Sequence, residues 1–268
     1  MIIKPETLGL LQTPKTAEPL KFENGNHPAF LVSQPSGQRF CIREGILDFI
    51  SSEPVTGLNQ KYQRLYNRLA PLYDLSTKLY AATKSKGDRA RVTEYLQELE
   101  IKDGDRVLET SIGTGRNIQY LPRTASYYGI DISWGMLKQC QKKGRRQNWD
   151  LELFLCPAEG LCFQDNVFDV VYHVGGINYF NDRAAAIHEM IRVARPDTKM
   201  IIVDETEELA KKGENIPGAS EFYKKRLGKI TSPIDLLPAG LQDVCLKTVA
   251  GGDLYCLSFR KPADYSTF

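Results

Sequence analysis

The stretch Val107-Leu-Glu-Thr-Ser-Ile-Gly-Thr-Gly-Arg-Asn117 constrains the fold of this 268-residue chain more than any other. An apolar run that begins at Arg106 stops at a carboxylate, Glu109. Small residues with Gly113 and Gly115 then form a turn, and a helical pattern follows. A strand that ends in a glycine turn before a helix start is how α/β proteins present nucleotide-like ligands. The glycines let backbone approach the ligand, and the free N–H groups of the helix start face it.

From Arg106 a regular alternation sets in. Strands are expected over 106–110, 127–132, 151–156, 168–174 and 199–204, with helical patterns at 118–121, 134–144 and 183–194 between most of them. This order predicts a mostly parallel sheet with helices on both faces. Val244–Val249, the turn Ala250-Gly-Gly-Asp253 and Leu254–Arg260 read as an antiparallel hairpin that closes one edge. Upstream, 29–33 and 38–42 are short strands around the turn Pro35-Ser-Gly37. Residues 1–57 are therefore expected to be a small β-rich module plus the polar linker 51–57, and 58–268 the main domain. At the start of that domain Tyr62, Leu65, Tyr66, Leu69, Leu72, Tyr73, Leu75 and Leu79 recur at helical spacing. Pro71 falls inside this pattern and predicts two short helices rather than one. Val92, Leu96 and Leu99 mark a further helix before the turn Lys102-Asp-Gly-Asp105.

Net charge is +2, which gives no global pull toward nucleic acid or anionic membrane. The N-terminus lacks a basic segment followed by an apolar one, and no apolar run is long enough to span a bilayer. A soluble, cytoplasmic protein is expected. The six cysteines form no C-x-x-C pair, so reduced thiols are expected, with neither a disulfide framework nor a metal site.

Two ligand classes compete for the opening turn. A dinucleotide site wants G-x-G-x-x-G, but counting from Gly113 the third glycine position holds Ile118. Glu109 also puts a negative charge before the turn, which helps no pyrophosphate and suits a ligand with an ammonium group. S-adenosylmethionine has that group, an adenosine and no phosphate.

The stretch resembles motif I of the class I S-adenosylmethionine-dependent methyltransferases, and the resemblance continues in order to the hairpin. Tyr128-Gly-Ile-Asp-Ile-Ser133 is similar to the second motif, in which an acid accepts from both ribose hydroxyls; Asp131 holds that position. Cys156-Pro-Ala-Glu-Gly-Leu-Cys-Phe163 resembles the loop that cradles adenine. Pro157 stands where Asp often contacts the adenine amino group, which leaves that contact to the backbone at Ala158. Phe168-Asp-Val-Val-Tyr-His173 matches the fourth strand, and Glu189-Met-Ile-Arg-Val-Ala-Arg-Pro-Asp197 the approach to the fifth. Ser111 replaces the first glycine of motif I, and Asp197-Thr the usual glycine pair before the fifth strand. The family's Rossmann-like, seven-stranded α/β sheet is thereby implied, with S-adenosylmethionine held by Glu109, Ser111, Gly113, Gly115, Asn117, Asp131, Ile132, Ala158, Glu159, His173 and Tyr73.

Tyr66-Asn-Arg-Leu-Ala-Pro-Leu-Tyr-Asp74 is similar to a lid helix of quinone-ring and other small-molecule methyltransferases. That makes 58–82 a lid, while Tyr66, Leu69 and Tyr73 read equally well as one buried packing face. Ile42-Arg-Glu-Gly-Ile-Leu-Asp-Phe-Ile50 resembles the close of a small zinc-ribbon-like (Trm112-like) module. Only Cys41 of its paired cysteines is present, so no zinc is expected there.

Methyl transfer is an in-line displacement in which the protein aligns the reactants and excludes water. A carbon or oxygen nucleophile also needs a base. His173, at the C-terminal end of the fourth strand, is the candidate, with a purely structural histidine as the alternative. Tyr62, Tyr66, Asn178, Tyr179 and Asp204 are candidates for the acceptor pocket, along with an insertion over 206–241. Asp204 or Glu205 suits a cationic or amine acceptor. Lys142-Lys-Gly-Arg-Arg146 reads as a solvated helix end, with an RNA contact as the alternative. His188 reads as structural, and His27 has no partner in sequence. Gly175-Gly-Ile-Asn-Tyr-Phe180 is unlike the Asn-Pro-Pro-Tyr motif of DNA amino-methylating enzymes. The expected activity is methyl transfer to a small molecule. An RNA methyltransferase and a non-catalytic S-adenosylmethionine-binding scaffold are the alternatives.

Overall fold

The computed structural model describes residues 3–23, 30–82, 87–215, 223–224, 226 and 228–265. His27 and residues 216–222, 225 and 227 of the insertion expected over 206–241 lie outside them.

The chain opens with the single turn α1 (Pro5–Leu8) and four short strands: β1 (Leu20–Phe22), β2 (Phe30–Ser33), β3 (Arg39–Arg43) and β4 (Ile46–Asp48). Helices α2 (Gly57–Ala82) and α3 (Asp88–Leu96) follow. The alternating part then runs β5 (Arg106–Thr110), β6 (Ser126–Asp131), α4 (Trp134–Gln147), β7 (Leu151–Leu155), β8 (Val170–Val174), α5 (Arg183–Val193), β9 (Lys199–Glu205), α6 (Glu207–Gly213), β10 (Gln242–Val249) and β11 (Leu254–Arg260). These bounds meet the expected ones to within a few residues.

All eleven strands form one sheet, ordered β1-β2-β3-β4-β7-β6-β5-β8-β9-β11-β10. β7, β6, β5, β8 and β9 are mutually parallel, and β11 and β10 close that edge antiparallel. These are the seven expected strands. The other four lengthen the sheet: β4 runs parallel to β7, pairing Leu47 with Phe154 and Asp48 with Leu155. The N-terminal strands thus join the main sheet edge to edge.

The central strands are buried almost throughout, as a parallel sheet covered on both faces requires. Val92, Tyr95 and Leu96 of α3 with Leu137 and Cys140 of α4 cover Val107, Val170, Tyr172 and Val203 on one face. Ala186, Ile187, Met190 and Ile191 of α5 cover Leu108, Val171, Met200 and Ile202 on the other. From β5 the chain steps outward to β6 and β7, then crosses back to β8 on the far side of β5. A crevice at the C-terminal ends of β5 and β8 follows from that reversal.

The break expected at Pro71 is absent. α2 is a single helix of 26 residues that passes through Pro71. Proline at 71 removes the donor for the Asn67 carbonyl, and the helix tolerates this because it leans there on α4. A Cβ on Gly135, in the first turn of α4, would stand 3.0 Å from that carbonyl and 3.1 Å from the Ala70 methyl. Among the described residues, no helix is long and apolar enough to cross a membrane.

Candidate cofactor and acceptor site

The turn after β5 is left-handed three times: Ser111 has φ 61°, Gly113 56° and Gly115 72°. The two glycines serve different ends. A Cβ on Gly113 would meet no atom within 4 Å, so this backbone borders open space. A Cβ on Gly115 would stand 2.6 Å from the Cys140 sulfur and 3.2 Å from the Trp149 ring, so this glycine lets the turn pack on α4. Ser111 accepts a conformation that costs an L-residue about 1 kcal/mol or more.

Asp131, half-buried at the end of β6, faces this turn. Its Oδ2 accepts the Gly113 N–H at 2.9 Å and its Oδ1 the Ser133 N–H at 2.8 Å. Burial lifts its pKa to about 6, against the opposing backbone hydrogen bonds from Ser133, Gly113 and Ile132. A carboxylate offers about four lone-pair sites, so both oxygens stay open to further donors beyond these N–H groups, which is what a ribose diol requires. Ile132 is half-buried beside it. Ala158 is buried in the loop after β7, with Glu159 half-buried next to it.

Glu109 stands apart from this opening. It is only 2% exposed: its Oε1 accepts from Asn117 Nδ2 at 2.5 Å and its Oε2 from the Tyr172 hydroxyl at 2.8 Å. Asn117 Oδ1 in turn accepts from the Tyr95 hydroxyl at 2.9 Å. Burial pushes the carboxyl to about 8, opposed by the Asn117 and Tyr172 hydrogen bonds and helped by Asp131. Glu109 and Asn117 therefore make a buried network beneath the turn.

His173 is fully buried on the α5 face. Its Nδ1 lies 3.1 Å from the Thr110 hydroxyl, Phe180 meets its ring edge-on, and its Nε2 has no hydrogen-bond partner among the described residues. Burial pulls its pKa down to about 4, although Asp204 acts the other way, so the imidazole is neutral at pH 7. Buried Asp204 folds the loop after β8: it accepts from Gly176 N at 3.1 Å and from Asn178 N and Nδ2 at 3.4 and 3.1 Å. Glu205 turns the other way, accepting from the Tyr179 hydroxyl at 2.6 Å and the Tyr223 hydroxyl at 2.9 Å. Burial beside Asp204 raises Glu205 to about 7. The Tyr62 ring lies 4.5 Å from that of Tyr179, and Tyr66 and Tyr73 continue the aromatic row along α2.

α2 roofs these strand ends and is tied to four loops. Asp74 accepts from the Thr114 hydroxyl at 2.6 Å and pairs with Lys143 at 2.5 Å. Asn67 Oδ1 accepts from Ser133 Oγ at 2.9 Å and Gly135 N at 2.8 Å, and Gln63 donates to the Ile132 carbonyl at 2.9 Å. Asn59 donates to Glu159 at 2.8 Å, while Asn181 accepts from the Leu58 N–H at 2.7 Å. Tyr73 is half-buried here, and its hydroxyl pKa is raised by burial, with Arg116 opposing and Asp131, Asp74 and Asp204 assisting.

The anchoring polar residues of α2 were not among the expected site residues, although Asn59, Gln63 and Asn67 recur every four positions. Leu69, expected with Tyr66 and Tyr73 on one packing face, is 42% exposed instead. At 100° per residue it lies about 60° from Tyr66, beyond the arc that meets the loops. His188 is exposed, its Nδ1 2.8 Å from the Ala184 carbonyl. The basic run 142–146 lies in the last turns of α4, with Lys143 engaged by Asp74.

An adenosyl sulfonium ligand fits this chemistry: Asp131 for the ribose, bare backbone at Gly113 for close approach, and the unpartnered His173 Nε2 nearby on the neighbouring strand. The comparisons agree. Residues 108–202 match a family described as a methyltransferase domain. Over 141 residues the chain is 28% identical to the demethylmenaquinone methyltransferase of Renibacterium salmoninarum, covering 52% of this chain and 56% of that protein. Over 105 residues it is 38% identical to phthiotriol/phenolphthiotriol dimycocerosates methyltransferase 1 of Mycobacterium ulcerans, covering 38% of each. The chain thus spans about half or less of these curated relatives. Its fold is shared with a phosphoethanolamine N-methyltransferase 2 of Haemonchus contortus in complex with S-adenosyl-L-methionine (TM-score 0.58, 13% identity, 78% of this chain and 61% of that one). It is shared also with the [4+2]-cyclase SpnF (TM-score 0.62, 15% identity, 82% and 99%). Residues 108–202 thus match a methyltransferase domain, and they lie in a Rossmann-like α/β sheet whose fold is shared with solved methyltransferases.

Proposed function

We propose that the chain transfers a methyl group to a small molecule that carries an apolar or aromatic ring. The observation that carries this reading is the inner face of α2, where Tyr62, Tyr66 and Tyr73 form an aromatic row over the strand ends and Tyr62 meets Tyr179. The names of two relatives, a demethylmenaquinone methyltransferase and a phthiotriol/phenolphthiotriol dimycocerosates methyltransferase, support the same acceptor class.

S-adenosylmethionine, when bound, supplies a methyl group on a sulfonium whose departure needs no acid. The chain's own residues do the rest. Asp131 accepts from the ribose hydroxyls and fixes the cofactor's orientation. Gly113 and Ser111 contribute close backbone, and Ala158 and Glu159 line the adenine end. α2, held by Asn59, Gln63, Asn67 and Asp74, excludes water from the transfer path. Tyrosine faces on α2 favour a cation by cation–π attraction. Glu205 sits among acceptor-side aromatics with a pKa of about 7, and we assign it the proton from a carbon or oxygen acceptor. His173, neutral and fully buried, is assigned a positioning role.

The cyclase neighbour shows that this fold also hosts other chemistry, so turnover is the test. The protein is incubated with methyl-labelled S-adenosylmethionine and, separately, a demethylated naphthoquinol, a simple phenol and total RNA. Label in the quinol or phenol supports the reading. Label in RNA, or in none of the three, overturns it.

A further inference from the structure

α2 is inverted for a helix that packs on a protein. At 100° per residue, Asn59, Tyr62, Gln63, Tyr66, Asn67, Tyr73 and Asp74 fall within one arc of about 140°. This polar and aromatic arc faces the loops, as its hydrogen bonds show. The opposite arc, also about 140° wide, carries Leu69, Leu72, Leu75 and Leu79 together with Lys61, Arg64 and Arg68. Those leucines are 42%, 66%, 56% and 62% exposed, which makes four of the six exposed large apolar side chains among the described residues. Four adjacent leucines in water form a patch that calls for a partner, unlike scattered surface leucines.

The charges choose between partners. Lys61, Arg64 and Arg68 are all exposed. Neither arginine has an ion pair among the described residues, and Lys61 lies 5.4 Å over the Tyr62 ring. The helix has one acid, Asp74, and it points inward to Thr114 and Lys143. Two copies of this face would bring like charges together with no carboxylate between them. An anionic lipid surface satisfies both features, because it accepts the leucines among its acyl chains and the cations at its phosphates.

The geometry points to the outer face of α2 as a docking surface for an anionic phospholipid bilayer, with the helix lying in the plane of the interface. The leucine stripe runs about 15 Å along the axis from Leu69 to Leu79. Because the same helix roofs the site, docking places the site's entrance at the lipid boundary, where an apolar acceptor resides. That last consequence rests on the acceptor class proposed above; the docking itself does not.

Co-sedimentation of the full chain with phosphatidylglycerol/phosphatidylcholine vesicles, against phosphatidylcholine alone, tests it without turnover. The wild type is expected to sediment with the anionic vesicles and to be released by salt. L72E/L79E changes two exposed side chains and is expected to lower vesicle affinity about 100-fold or more, from the loss of two leucine insertions. R64Q/R68Q is expected to lower it about 30-fold, at about 1 kcal/mol per cation. Affinity for S-adenosylhomocysteine and the far-ultraviolet circular dichroism spectrum serve as controls and are expected to stay unchanged in both variants. Failure of the wild type to bind anionic vesicles overturns the proposal. So does binding that survives L72E/L79E, or a wild-type dimer that L72E/L79E dissociates, which would identify a second copy as the occupant. Vesicle binding with no turnover on quinol or phenol would leave docking standing and remove only the acceptor assignment.

Discussion

Replacing Glu109 with glutamine isolates what the buried network beneath the glycine turn does to stability. The carboxyl is 2% exposed and titrates near 8 in the folded chain, against 4.5 for an exposed glutamate. Its folded-state pKa is raised, so between these two values the unfolded chain has released a proton that the folded chain retains. Stability must then fall as pH rises through that window, by about 1.4 kcal/mol per unit, until the folded carboxyl ionises near 8. Integrated from pH 5 to pH 9, the loss is about 4 kcal/mol. The amide introduced by E109Q cannot ionise and still presents an oxygen and an N–H donor to Asn117 and Tyr172, so the variant lacks this loss. The assay is urea unfolding of both proteins at pH 5, 7 and 9. E109Q is expected to gain on the wild type by about 4 kcal/mol across that range, most of it between pH 5 and 8. A difference that stays constant from pH 5 to 9 would mean that the folded carboxylate is ionised throughout, and that the Asn117 and Tyr172 hydrogen bonds outweigh burial.

Three further outcomes follow from the same geometry. Gly115→Ala drives a Cβ into Cys140 and Trp149 at positive φ and is expected to cost about 2–4 kcal/mol, while Gly113→Ala, strained but in open space, costs about 1–2 kcal/mol; equal losses in denaturant unfolding would contradict the two roles. Ser111→Val places a β-branched residue in the left-handed region and is expected to cost about 1–2 kcal/mol, with Ser111→Gly within about 1 kcal/mol of wild type. A neutral valine would show that the turn relaxes freely. If Glu205 is the base, it must be ionised to act, so kcat/KM rises with pH through about 7; E205Q should lose both most of the rate and that ascending limb. A limb retained in E205Q would assign it to another group.

The sheet was legible because its strands are short apolar runs separated by helical patterns, and because the glycine turn marks its centre. Ser111 read as the one irregular letter of that turn, and its φ of 61° shows why glycine suits the position. The eleven-stranded extent was hidden. Nothing in Ile46–Asp48 specifies that it pairs with β7, since edge pairing depends on a partner more than 100 residues away. Glu109 was expected at the ligand's ammonium group, whereas its carboxyl is buried on Tyr172 and Asn117, with Tyr95 donating to Asn117; Tyr172 and Tyr95 come from a neighbouring strand and a preceding helix. α2 was the most misleading stretch. Leucines at helical spacing ordinarily mark a buried face, and here the arc that meets the loops is the one with asparagines, glutamine and tyrosines. Pro71 read as a break because sequence does not reveal that Gly135 lets α4 support the helix at that point.

We propose above all that Asp131 holds S-adenosylmethionine across the ends of β5 and β6. Calorimetric titration of S-adenosylhomocysteine into wild type and Asp131→Ala tests this most directly. The wild type should bind with one site per chain. The variant should bind about 100-fold more weakly, through loss of two charge-assisted ribose hydrogen bonds worth together about 3 kcal/mol. Equal affinity in the two proteins, or no binding to the wild type, would contradict the central claim.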